Sequence, residues 1–163
     1  AAADGGLITD AAVAQSPADA RAFWQVRDAS AEFRRLGWSA KGFDIGIPIG
    51  QIGAFVEACR GALQRRWPEA QAAFFGHIGD SNLHLHAHVP GLDDAQHAIE
   101  TVVYDTVRDW HGTVSAEHGI GLSKRPWLGH TRSPAEIDVM RAIKRALDPQ
   151  GLLNPGKIWG DAR

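Results

Sequence analysis

Half of the chain's eight histidines lie in one short stretch, GHIGDSNLHLHAHVP (76–90). Three of them, His84, His86 and His88, occupy alternate positions. Histidine is the commonest metal ligand, and its ordinary pKa lies nearer neutral pH than that of other side chains. The clustering therefore indicates either a site for metal binding and proton transfer or a row of solvated side chains on the open face of a strand.

The spacing of these histidines suggests a pair that could share an ion. In a strand over 82–89 the apolar residues share the core-facing side and the histidines share the other side. A hairpin turn with Asp80 and Ser81 at its centre would place His77 directly opposite His84, with Cβ atoms about 5 Å apart. Two imidazoles at that separation can bind one ion.

A third metal ligand is available in SAEHGIG (115–121), which puts Glu117 and His118 at the end of a predicted strand. A carboxylate with two histidines forms a site of mixed nitrogen and oxygen ligands with positions left open for water or substrate. Taken singly, each residue is more often an ordinary solvated or hydrogen-bonded polar group. Their conjunction at glycine-bracketed strand ends favours a metal site formed by His77, His84 and Glu117.

The hydrophobic pattern predicts the elements that must position these residues. Capping signals at SPAD (16–19) and SPAE (133–136) begin a first helix, which runs to about Leu36, and a last helix. Between them, apolar periodicity predicts the order strand, helix, strand, strand, helix, strand. The predicted fold is therefore α+β: a ferredoxin-like split βαβ antiparallel sheet with helices on one face, plus additional N- and C-terminal helices.

Composition excludes several classes of function. The 163 residues suffice for one domain with a real core, and 44% hydrophobic and 22% charged residues are typical of globular proteins. A net charge of −2 does not favour nucleic acid as a partner. No apolar run approaches the roughly 18 residues of a membrane span. A single cysteine, Cys59, excludes an internal disulfide and leads us to expect a cytoplasmic location.

The N-terminal segment AAADGGLITDAAVAQ has neither a basic region nor a long apolar core, so it is not typical of a signal peptide. It also lacks an initiator methionine. We therefore expect residues 1–163 to be a single domain from a longer protein.

Three motifs carry a resemblance to a known family. The stretches GHIGDSNLH, SAEHGIGLSKR and RALDPQGLLNPGKIW together resemble the C-terminal domain of FAD-linked D-2-hydroxy-acid dehydrogenases, and they occur in the family's order. That family includes D-lactate dehydrogenase, the glycolate oxidase flavin subunit and D-2-hydroxyglutarate dehydrogenase. The resemblance extends from about Trp24 to Trp159. It implies a substrate- and metal-binding domain whose partner, the FAD-binding domain of the same protein, is absent from this sequence.

The resemblance also implies roles for individual residues. His77, His84 and Glu117 would hold a divalent metal, which we expect to be zinc, beside the flavin. His118 would be the general base that removes the hydroxyl proton of the substrate. Arg27 would clamp the substrate carboxylate, a task that suits the fork geometry of its guanidinium.

His86 and Lys41 are the remaining candidate substrate-binding residues, and both depart from the family's pattern. The family often has asparagine at the position of His86. Its lysine lies two residues before the strand aspartate, whereas Lys41 lies three before Asp44. Ala31 stands where the family often has threonine when a dicarboxylate is bound. These departures leave open which 2-hydroxy acid, of the lactate, glycolate or 2-hydroxyglutarate class, is oxidised to its 2-oxo acid.

Two other functional classes remain as alternatives. The same three ligands could activate water in a metal-dependent hydrolase, or the chain could be a ferredoxin-like ligand-binding or assembly module without catalysis. For the dehydrogenase, we expect this chain alone to be inactive and to bind no FAD, because it contains no dinucleotide-binding fingerprint. The residues that contact the cofactor and the oligomeric state stay undetermined.

Overall fold

A computed structural model describes residues 4–29, 32, 41–92 and 96–160. The chain divides into two compact units, Ala1–Trp38 and Ser39–Arg163.

The first unit contains helix α1 (Pro17–Arg27), which begins as predicted. The Ser16 side chain accepts a hydrogen bond from the Asp19 amide, and Pro17 is the first helical residue. The helix ends earlier than predicted, with Asp28 as its C-cap. None of its side chains is buried within the described part of the chain, so packing does not extend it. Leu36 lies outside the described residues.

The second unit is built on a three-stranded antiparallel sheet. Its elements are β1 (Lys41–Gly46), α2 (Ile52–Arg66), β2 (Gln71–His77), β3 (Asn82–His88), α3 (Gln96–Asp109) and α4 (Pro134–Leu147). Strand β3 lies between β1 and β2. The α+β class is confirmed.

One face of the sheet forms the core, and the alternation of side chains along the strands decides which face. In β3, Leu83, Leu85 and Ala87 are buried, while the histidines between them are only half-buried. Helices α2 and α3 pack on the apolar face. The buried side chains that join the layers include Phe43, Ile45, Phe55, Cys59, Leu63, Val103 and Val107. The opposite face is therefore left for the polar side chains.

The predicted fourth strand over 113–117 is reduced to a single bridge. Gly46 and Thr113 exchange two backbone hydrogen bonds of 3.0 and 2.8 Å beside β1. Beyond Thr113 the chain leaves the sheet, because the amides of Glu117 and His118 donate to the side chain of Asp44 instead of to a neighbouring strand.

The hairpin between β2 and β3 also differs from the prediction. His77 pairs with Asn82, and Phe75 lies opposite His84, so the register is displaced by two residues. The connection is longer than a two-residue turn, since a 3-10 helix (Ile78–Asp80) precedes Ser81 in the left-handed conformation. A displacement of two residues keeps His77 and His84 on the same face, because side chains alternate with a period of two.

Helix α4 begins with the predicted capping box. The Ser133 side chain accepts from the Glu136 amide, and the Glu136 carboxylate accepts from the Ser133 amide. Among the described residues, no helix is both long and apolar enough to cross a lipid bilayer.

The close approach of Gly112 to β1 gives a test of how the loop is held. A Cβ atom at Gly112 would lie 2.6 Å from the Gly46 carbonyl oxygen and 2.7 Å from Ile47 Cδ1. We expect Gly112→Ala to lower the free energy of unfolding by about 1–3 kcal/mol, as overpacking of a core does. Urea unfolding measures this change. Gly53→Ala on α2 is the control, because no atom lies within 4 Å of its added Cβ. The control should unfold at an equal or higher urea concentration, and equal loss in both variants would contradict the prediction.

Candidate active site

The polar face of the sheet carries the histidine cluster. The rings of His77 and His84 are 5.9 Å apart between centroids and nearly perpendicular. They are diagonal neighbours across β2 and β3, which places them within reach of each other. The Phe75 ring of β2 lies beside two imidazoles of β3, with its centroid 5.3 Å from that of His84 and 5.5 Å from that of His86. The face therefore combines imidazoles with one aromatic wall.

The loop after Thr113 brings Glu117 and His118 onto this face. Glu117 Oε1 lies 3.3 Å from His84 Nε2 and 3.5 Å from His118 Nε2. The His84 and His118 rings are stacked with centroids 5.7 Å apart. The His118 side chain is 60% exposed, so its ring stands at the open side of the cluster.

Asp44 of β1 lies directly beneath these residues and is only 2% exposed. It is paired with His84 across the sheet. Its carboxylate accepts hydrogen bonds from the amides of Glu117 at 3.2 Å and His118 at 2.9 Å. The Ser115 hydroxyl and the Lys124 ammonium also lie 3.1 Å from Asp44 Oδ2. The aspartate thus receives donors from the whole loop.

These donors determine the protonation state of Asp44. Burial alone would raise the pKa of its carboxyl. The hydrogen bonds from the amides of His118 and Glu117 and from Lys124 more than offset burial and lower the pKa to about 2. Asp44 is therefore a carboxylate at neutral pH.

The side chains at this place fit a divalent cation. One ligand atom each from Asp44, His84 and Glu117 lie within 4.8 Å of one another. Imidazole nitrogen and carboxylate oxygen are the ligands that zinc takes in catalytic sites. His77 is outside this group but adjoins His84, so its part as a metal ligand stays a prediction.

One predicted substrate-binding residue, Lys41, is placed away from the cluster. Lys41 lies on the helix-facing side of β1, where its ammonium pairs with the Glu100 carboxylate at 2.7 Å. The strand's alternation therefore directs it away from the histidine face. Arg27 belongs to the first unit and pairs with Asp28 at 3.0 Å, so its role as a carboxylate clamp stays a prediction. Ala31 lies outside the described residues.

His86 is placed on the histidine face, as the alternation of β3 predicts. Its cross-strand partner is Gly42, and a Cβ atom there would lie 3.6 Å from His86 Nε2. The absence of a side chain at Gly42 lets the imidazole extend over β1. His86 is therefore the predicted substrate-binding residue that the structure brings next to the cluster.

No site role was predicted from the sequence for Asp44, Ser115 or Lys124. A signal for Asp44 was present, because it is the one charged residue in the apolar stretch FDIGI. The alternation of side chains along β1 places Asp44 on the polar face of the sheet. The partners of Asp44 could not be read from the sequence, since they depend on how the loop folds over β1.

The low pKa of Asp44 predicts a component of acid unfolding. In the unfolded chain the carboxyl titrates near 3.8, and in the folded protein its pKa is about 2. The stability from the ionised form is thus fully present above the unfolded pKa and is lost as the pH falls from about 4 to about 2. Urea unfolding over this pH range should show a loss in the free energy of unfolding that is smaller for Asp44→Asn than for the unsubstituted protein. Asp138→Asn on the exposed side of α4 is the control, and an equal acid dependence in both variants would contradict the prediction.

Comparison with known proteins places the chain in a family. Residues 1–158 match the family model described as "FAD linked oxidases, C-terminal domain". A D-2-hydroxyglutarate dehydrogenase of Stutzerimonas stutzeri (strain A1501) is 35% identical over 160 residues, which cover 94% of this chain and 34% of that protein. A mitochondrial D-2-hydroxyglutarate dehydrogenase of Danio rerio is 36% identical over 157 residues, 95% of this chain and 29% of that protein. The chain thus spans about a third of the length of these curated relatives. It belongs to the family of C-terminal domains of FAD-linked oxidases.

Proposed function

We propose that this chain is the substrate- and metal-binding domain of an FAD-dependent dehydrogenase that oxidises a D-2-hydroxy acid to the 2-oxo acid. The observation that carries the proposal is the convergence of His84, Glu117 and His118 at one end of the sheet. Family membership and relatives named D-2-hydroxyglutarate dehydrogenase support this reaction class. The substrate would belong to the lactate, glycolate or 2-hydroxyglutarate class.

The chain's own residues would hold a divalent cation, zinc by preference, through His84 and Glu117 together with His77. Such a cation would draw the hydroxyl and carboxylate oxygens of the substrate to the site and favour loss of the hydroxyl proton. His84 is well suited to fixed binding because only 16% of its side chain is exposed. Phe75 packs against the ring and restricts its rotation.

His118 would accept the hydroxyl proton. Its ring nitrogens lie 3.5 Å from Glu117 Oε1 and 3.7 Å from Asp44 Oδ2, so the imidazole lies beside two carboxylates that would favour its protonated form. Its exposure leaves the ring accessible to a substrate that approaches from the open side. A base must first lie within reach of the proton, and this placement beside the ligand Glu117 provides that reach.

The remaining steps concern orientation and electron transfer. His86 would contact the far end of the substrate, since it is the next residue after His84 on the same face of β3. The assignment of Arg27 to the substrate carboxylate rests on the resemblance to the family. Bound FAD would supply the oxidant that takes the hydride from the α-carbon, and the FAD-binding domain of the same protein would hold it.

Metal binding tests the first part of the proposal. Co²⁺ added to the metal-free chain should give a visible absorption band as imidazole and carboxylate ligands replace water. Loss of an outer-shell partner weakens metal binding about 10- to 100-fold, and His84→Ala should weaken Co²⁺ binding by more than that. His97→Ala is the matched control, because that histidine lies on α3 with 79% of its side chain exposed. Equal Co²⁺ affinity in both variants, or no Co²⁺ binding by the unsubstituted chain, would contradict the metal assignment.

Steady-state kinetics of the full-length flavoprotein test the catalytic part. His118→Ala should lower kcat by about 100- to 10,000-fold with the best of D-lactate, glycolate and D-2-hydroxyglutarate, as loss of a general base does. KM should change little, because His118 is proposed to move a proton and not to hold the carboxylate. His97→Ala should retain the unsubstituted kcat.

Two results would overturn the proposal. An unchanged kcat in His118→Ala would assign proton removal to another group, with His86 the next to substitute. Metal-dependent ester or amide hydrolysis by this chain, without flavin reduction by any of the three hydroxy acids, would favour the hydrolase.

A further inference from the structure

Asp44 and Lys124 form a buried ion pair beneath the proposed site, and neither has a role in the proposed reaction. The Asp44 side chain is 3% exposed and that of Lys124 is 13% exposed. The ammonium and the carboxylate Oδ2 are 3.1 Å apart. We propose that this pair, with Ser115, positions Glu117 and His118 for their work, and that Asp44 is not itself a metal ligand. The roles given to Glu117 and His118 rest on the proposed function.

Asp44 determines the backbone path of the loop. The consecutive amides of Glu117 and His118 both point at its carboxylate, and Ser115 donates from two residues earlier. One side chain on a rigid strand thus fixes three positions of a segment that has no ladder of its own. Hydrogen bonds to an ionised acceptor are about twice as strong as those between neutral groups, which suits this task.

Lys124 has no donor left for substrate or flavin. An ammonium has three N–H donors. Lys124 Nζ lies 3.1 Å from Asp44 Oδ2, 3.2 Å from the Asp44 carbonyl oxygen and 3.0 Å from Ser115 Oγ. All three donors are therefore directed at the strand and the loop. Lys124 clamps Asp44 and Ser115 together and faces away from the open side.

Asp44 lies close to His84 and Glu117 but differs from them in the hydrogen bonds that its carboxylate already accepts. Its Oδ2 accepts from Ser115, His118 and Lys124, and the Glu117 amide is shared between its two oxygens at 3.2 and 3.3 Å. A cation at Oδ2 would compete with these donors, and a cation at either oxygen would lie near the Lys124 charge. The Glu117 carboxylate is 44% exposed and lies instead beside the imidazoles of His84 and His118, at 3.3 and 3.5 Å.

The buried ion pair does not stabilise the fold much more than an apolar pair of similar volume would. Desolvation of the two charges offsets most of their attraction. Every member of this network nevertheless has partners in good geometry. The network therefore serves to hold the loop in one position. Its loss should lower the metal affinity more than it lowers the stability of the fold.

Amide hydrogen exchange in the metal-free chain tests the positioning role without any metal. The amides of Glu117 and His118 should be protected in the unsubstituted chain and equally protected in His84→Ala and Glu117→Gln. In Asp44→Asn/Lys124→Met, which replaces both charges together, they should exchange about 10- to 100-fold faster, as expected for loss of a charge-assisted hydrogen bond.

Co²⁺ titration of the same variants separates a positioning residue from a ligand. The double variant should bind Co²⁺ about 10- to 100-fold more weakly than the unsubstituted chain, with the same absorption band, because the ligand set is intact. Should the double variant fail to fold, Ser115→Ala removes one donor to Asp44 and one acceptor of Lys124. It should change exchange and Co²⁺ affinity in the same direction, to a smaller extent.

Each contrary result has a separate meaning. An altered absorption band in the double variant would make Asp44 a ligand and overturn the inference, as would unprotected Glu117 and His118 amides in the unsubstituted chain. Protected amides with no Co²⁺ binding would support the positioning role of Asp44 and contradict the metal site of the proposed function.

Discussion

The carboxylate of Asp44 is the interaction on which the site depends. It lies on β1, between Phe43 and Ile45, whose side chains are buried in the core. Its oxygens accept hydrogen bonds from backbone amides of a loop that leaves the sheet after one bridge. Without these acceptors the amides would be left unsatisfied, at a cost in stability. The loop's proposed catalytic residues therefore take their position from the sheet and not from the loop itself. A loop fixed in this way can carry exposed, accessible side chains without losing geometry.

Much of the fold was predictable because it follows from apolar periodicity and capping. The cap at Ser16 and the capping box at Ser133 were both visible as local patterns, and the structure has both. The core face of β3 followed from simple alternation. The end of α1 was not predictable in the same way, since no described side chain of that helix is buried and no packing marks a boundary.

The site was predictable in composition but not in pairing. The sequence identified His84, Glu117 and His118, because their types and their glycine-flanked positions are local signals. Register and strand extent are non-local: the 3-10 helix Ile78–Asp80 displaced the hairpin, and the fourth strand was replaced by contacts to Asp44. The predicted direct pairing of His77 with His84 is therefore wrong. The two rings still lie 5.9 Å apart between centroids, because a shift of two residues leaves every side chain on its own face.

The alternation of side chains along the strands also determines which groups lie at the end of the candidate site beyond His86. A residue that shares a face with Asp44 must lie an even number of positions from it, and Gly42 does. Lys41 lies at an odd spacing, so its charge is directed to Glu100 on the helix side of the sheet. The group beside Gly42 on the histidine face is therefore the imidazole of His86. The resemblance to the family made Lys41 a candidate, but the alternation of side chains along β1 places His86, and not Lys41, beside Gly42 on this face.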